Sequence, residues 1–284
     1  MIGMQAPPAT APTRRVDPAE VAARIAEVDA LAEVPVGPDL AAALAGVDGD
    51  RLPGPGLVGL MEARHRQANH ERGELLAAVG RILLHDVAGG ARMWKGPDGV
   101  AVDQVRASLR LTRSAARRLC ELTWDLHKRL APVLAAMREG VLDQPRAQVF
   151  SSWTQGLTSG HTAAVLWALL PTAAQLTTGE LIDAIAKLAI ALDPEWVRRR
   201  YERALKGRRV VGTRNPDGTA TLTGHDLPFD EVAAACARLD ALAHAAKTAG
   251  HPDRLDHLRA DLLVGMITGR YTTMTDQQIG RAHV

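Results

Sequence analysis

The side chains able to do chemistry in this chain of 284 residues are ten histidines, two cysteines and a few serines, and their spacing fits no catalytic pattern. His65 with His70, and His251 with His257, lack the HExxH spacing that puts two imidazoles on one helix face for a metal. His65 and His70 are expected to face solvent on a long helix, and His257 to sit on a helix surface beside Asp256 and Asp261. Ser151, Ser152 and Ser159 have no base placed to activate them, and His161, two residues beyond Ser159, reads as incidental. There is no GxSxG, no GxxxxGK[ST] and no dinucleotide-binding glycine fingerprint. Cys120 and Cys236 lie far apart with no cysteine at metal-ligand spacing, which argues against a disulfide framework and a Cys-rich zinc site and fits a reducing cytoplasm. No catalytic residue, metal or cofactor is expected in this chain.

Charge is more informative. The formal balance of +2 conceals two basic islands. Residues 92–130 carry nine basic and four acidic side chains, and residues 196–214 carry eight basic and one acidic. The first island holds the best local motif: Asp103 to Leu119 resembles a helix-turn-helix, with Val105, Leu109, Leu111, Ala116 and Leu119 where that motif buries apolar residues. Thr112 is placed to cap the second helix, which would present Arg113, Ser114, Arg117 and Arg118 outward to the major groove or to phosphates. Arg106 and Arg110 depart from the motif, standing where a small residue and a turn glycine are common. The second island, Arg198 to Arg209, interleaves Trp196 and Tyr201 with bases that one acid cannot neutralise, and Arg199, Arg203, Lys206 and Arg208 are the expected phosphate contacts. The bland counterpart for both islands is a solvated arginine face.

The elements that must position these residues read as helices. Hydrophobic residues are 46% and aromatics only 3%, so Ala, Leu and Val do the packing and stacked-aromatic nucleic-acid platforms are excluded. After a loose arm over residues 1–16, Asp17-Pro18-Ala19-Glu20 starts a helix. Pro53-Gly54-Pro55-Gly56 is a strong break before a long helical stretch from Leu57 to Val87. The apolar segment Thr162–Leu170 is too short to cross a membrane and reads as a buried helix. Asp193-Pro194-Glu195 has the form of a helix start for the basic segment through Lys206. Arg209–Thr213, the turn Asn215-Pro216-Asp217-Gly218 and Thr219–Thr223 read as a β-hairpin, followed by helices over Asp230–Lys247 and Arg254–Ile267. The expected fold is mainly α: a multi-helix bundle with a helix-turn-helix-like segment and one small β-hairpin. Its expected divisions are N-terminal helices over 17–91, a helical core domain over 92–268 and a tail over 269–284.

Several stretches together resemble the actinobacterial 13E12-repeat family, whose shared region is domain of unknown function 222. They are Val105–Leu119, the Val141-Leu142-Asp143-Gln144-Pro145-Arg146-Ala147 run, Leu176 to Leu181, and Leu192-Asp193-Pro194-Glu195 with the Arg-rich helix after it. Arg208-Arg209-Val210-Val211, Pro216-Asp217-Gly218-Thr219, Leu239 to Ala243 and Asp256 to Asp261 complete the pattern, which covers roughly residues 57–268. The resemblance implies an association with mobile elements and a following HNH endonuclease domain, which would bring the divalent metal. No residue of this chain matches that nuclease. Ile279-Gly280-Arg281-Ala282-His283-Val284 reads as an in-frame translation of a sequencing adapter, so the natural gene is expected to continue.

The sequence therefore leads to a cytoplasmic, DNA-binding helical region of an HNH-endonuclease-type protein, ending before its nuclease. DNA is the expected partner, a membrane is not expected, and a homo-oligomer is left open. The competing expectation is a helical oligomerisation or protein-interaction module without nucleic-acid binding.

Overall fold

A computed structural model describes residues 18–84 and 99–270. Among these, twelve α-helices and one antiparallel hairpin form the mainly helical architecture expected, and the chain divides into two compact units after Trp196. The N-terminal arm, the expected boundary at residue 91 and the last six residues lie outside the described residues.

The first unit begins with α1 (Pro18–Asp29), α2 (Pro38–Ala45) and α3 (Gly54–Leu84). The Pro-Gly break does not precede α3 but forms its first turn. A proline there loses only an N–H that has no helical partner anyway. At 31 residues, α3 is about 45 Å long and serves two apolar clusters. Leu60 and Ala63 pack with Val28, Leu31, Leu40 and Leu44, while Leu76, Val79 and Leu83 enter the main core. α3 also packs on α4 (Gly99–Leu109), α5 (Arg113–Lys128) and α6 (Ala131–Arg138), all within the first unit. The α3–α6 crossing is close: a Cβ on Gly73 would stand 2.8 Å from the Arg138 backbone nitrogen. His70 is half-buried there rather than solvated, its Nδ1–H donating to the Arg138 carbonyl at 2.5 Å; His65 is exposed as expected.

The main core is completed by α7 (Gln144–Trp153), α8 (Ser159–Leu169) and α9 (Thr178–Leu192), with Leu126, Leu130, Met137, Leu142, Phe150 and Ile185 fully buried. Local sequence sets the helix starts: the side chains of Asp143, Thr158 and Thr177 accept from the backbone N–H three residues on. The expected buried helix is only half that. α8 buries Thr162, Val165 and Leu166 and leaves Trp167 86% exposed, since a run without charged residues does not reveal which face meets the core. The Asp193 carbonyl accepts from Trp196 N at 3.0 Å in a turn, and α10 (Trp196–Lys206) starts after it.

The second unit comprises the rest of α10, β1 (Arg209–Arg214), β2 (Ala220–His225), α11 (Phe229–Thr248) and α12 (Leu255–Ile267). Its core is small: Leu242, Ala243 and Ala246 of α11 pack against Leu258 and Leu262 of α12. The strands pair in register from Arg209 opposite His225 to Arg214 opposite Ala220. Gly218 takes the positive φ of 89° that closes the turn.

Candidate nucleic-acid interface

The α4–α5 pair has the form of a helix-turn-helix. Arg110 adopts a left-handed backbone, φ 51°, at the position where a glycine is common, and Leu111 N closes the turn on the Arg106 carbonyl at 3.0 Å. The Thr112 hydroxyl accepts from Ala115 N at 3.2 Å and caps α5 as expected. Val105, Ala116 and Leu119 are buried and Leu111 half-buried. Leu109, expected inside, is 39% exposed, because it ends α4 and lines an open groove rather than packing between the helices.

The last three turns of α5 are anchored by Cys120, Leu122, Thr123 and Leu126, all buried in the main core. Its first two turns carry Arg113, Ser114, Arg117 and Arg118, and all four are exposed. Arg118 Nη1 donates to Ser114 Oγ at 2.8 Å. Among the described residues, no carboxylate pairs with Arg113, Arg117 or Arg118, although Glu121 lies one turn on from Arg117. Arg106 is neutralised by Asp103 at 3.2 Å. No acid occupies the first turn of α5, where the helix dipole favours one. Arg113, the one arginine in that turn, is unfavourable there by about 0.3–1 kcal/mol until an anion arrives.

The second island is only partly neutralised. Arg198 pairs with Glu202 at 3.3 Å and Arg209 with Asp226 at 3.4 Å. Arg199 and Arg200 are half-buried and engaged, and burial together with Arg203 pulls the Arg200 pKa below its ordinary value. Arg203, Lys206 and Arg208 are exposed without an ion-pair partner among the described residues. Tyr201 is exposed, but Trp196 does not interleave with the arginines. It is buried, donates from Nε1 to the Gln155 carbonyl at 2.9 Å, and lies 6.3 Å from the Trp153 ring.

Two polar arrangements were not legible in sequence. Ser151 Oγ donates to Asp125 Oδ2 at 2.6 Å, and Arg129 grips the same carboxylate while donating to the Ser151 carbonyl and the Thr154 hydroxyl. The network ties the C-terminal end of α5 to α7. The other is on α3, where Arg72 Nε donates to the Gln144 side chain across to α7; nothing in its local pattern sets Arg72 apart. The His161 Nδ1 is buried without a partner. Among the described residues, no three His, Cys, Asp or Glu side chains group as a metal site, and no helix is long and apolar enough to cross a membrane.

The fold and this surface define a mainly helical protein built around a helix-turn-helix-like pair. The chain belongs to the family described as Domain of unknown function (DUF222), whose model matches residues 63–261 and so spans both units. No curated protein and no solved structure matches it.

Proposed function

We propose that this DUF222 chain binds duplex DNA through the first two turns of α5. The observation that carries the proposal is the exposure of Arg113 and Arg117 at a helix N-terminus with, among the described residues, no carboxylate paired to either. Both guanidinium groups and the helix dipole favour an anion at that end. A helix fixed at its C-terminal end and basic at its N-terminal end can enter a major groove without reorganising, with Arg118 and Ser114 set beside the two arginines. Arg203, Lys206 and Arg208 add a second phosphate-contacting surface on the other unit, joined by the half-buried Arg199 of the same basic segment. Any cutting of the DNA belongs to a metal-dependent HNH domain outside this chain, as the family resemblance implies, and no residue here is assigned to it.

Fluorescence anisotropy of a labelled duplex at two salt concentrations tests the proposal. Binding that weakens steeply with salt and is lost in R113E/R117E is expected. Salt-insensitive binding, or an unaffected double variant, overturns it.

A second reading has its own support: a protein-interaction module. Phe229 at the start of α11 is 82% exposed and Trp167 on α8 is 86% exposed, aromatic side chains of the kind that anchor a partner surface. Concentration-dependent association without any duplex binding would favour it.

A further inference from the structure

Arg72 is a charged group to which DNA binding by α5 gives no role. It is half-buried on α3, its Nε–H is given to Gln144, and among the described residues no carboxylate reaches it. The acids around it are committed elsewhere. Glu71 accepts from Gln67 at 2.8 Å, Glu74 pairs with Arg138 at 2.6 Å, and Asp143 pairs with Arg146. Burial pulls the Arg72 pKa below its ordinary value, yet a guanidinium stays charged at any ordinary pH. Arg72 has N–H groups that Gln144 does not take, and because the cation is partly withdrawn from water an anion would hold them more strongly than solvent does.

A groove of about 750 Å³ opens beside it, where α3, α5 and α7 meet the end of α4. Arg72, Arg118, Gln144 and Gln148 supply its polar lining, and Leu109 and Leu111 are among the apolar side chains of its floor. The volume suits a small molecule. A DNA phosphodiester would satisfy the arginines but offers no apolar group to cover the leucines. A planar carboxylate matches the guanidinium fork, and an apolar body matches the floor.

We infer that this groove binds a small organic carboxylate with an apolar body, its charge held by Arg72 and Arg118 and its body over Leu109 and Leu111. Arg118 also belongs to the proposed DNA face, so the bound carboxylate draws it away and weakens duplex binding. Only this last coupling rests on the DNA proposal.

The test is calorimetric titration of the full chain with naphthalene-2-carboxylate, beside naphthalene-2-methanol and inorganic phosphate. A Kd of about 1 mM or tighter is expected for the carboxylate, with the neutral alcohol and R72Q each weaker by about tenfold. R118Q, altered at the surface, must weaken binding too, so the inference stays testable if R72Q fails to fold. No saturable binding below about 10 mM, where the expected site would be nearly filled, overturns it, as does unchanged affinity in a folded R72Q. Phosphate binding as well as the carboxylate would reduce the site to a bare anion pocket and overturn the apolar half. Duplex affinity is then measured with the groove filled. A fall supports the coupling and unchanged affinity overturns it. A chain that takes the carboxylate but never binds duplex refutes the DNA proposal and leaves the groove standing.

Discussion

Asp125 and Arg129 meet twice, one turn apart on α5, with Nε 3.0 Å from Oδ1 and Nη2 2.7 Å from Oδ2. Both are mostly withdrawn from solvent, and Ser151 donates to the same carboxylate. Removing the acid strands a cation and a hydroxyl together. D125A should lower stability by about 2 kcal/mol, read as a lower urea midpoint at unchanged slope. A loss below about 0.5 kcal/mol, the size of an ordinary surface change, would show that the network holds nothing together.

The Thr112 hydroxyl is the only side-chain cap at the start of α5 among the described residues. T112A should cost about 1 kcal/mol, and T112S should restore most of it because serine keeps the oxygen. A serine variant as unstable as the alanine would place the effect in packing instead.

Each phosphate neutralised on duplex DNA contributes about −0.9 to the slope of log affinity against log salt. Replacing Arg117 by Gln should make that slope shallower by about one and weaken binding alike on unrelated sequences if the contact is to phosphate. If the contact is to a base edge, the same variant instead relaxes preference at one position.

Thr177 N–H and hydroxyl both donate to Glu180 Oε2 at 2.8 Å, and these bonds hold the Glu180 carboxyl below its ordinary value of 4.5. A depressed folded-state pKa means the capping box stabilises fully above the unfolded value and is lost as pH falls through the folded one. E180Q should therefore be less stable than the parent near neutrality and converge with it as pH falls below about 4.5, which gives the variant the flatter acid limb. Urea midpoints measured from pH 3 to pH 7 read it directly; parallel curves for the two proteins would remove Glu180 from the acid response.

Cys120 is fully buried, and burial, aided by Glu121, pushes its thiol up to about 11. Cys236 is exposed on α11. A thiol reagent at pH 8 should therefore label Cys236 quickly in the native protein and reach Cys120 only after unfolding. Equal rates for the two thiols would mean that α5 opens readily.

The chain's own residues were enough for the helices, the hairpin and the helix-turn-helix-like pair, because caps, prolines and glycines act within a few residues of where they stand. Thr112 and the Asn215–Gly218 turn were readable for that reason, as was the exposure of Arg113 and Arg117, since a cap and a helical period fix which side of α5 they share. Packing against distant segments decided the rest. Trp196 reads as part of a basic run but is buried beside Trp153, and Leu109 has the spacing of a core residue but ends at a groove. Arg72 and Gln144 are brought together across 72 positions of chain, and whether a cation finds a carboxylate depends on which helices cross, which local pattern does not encode.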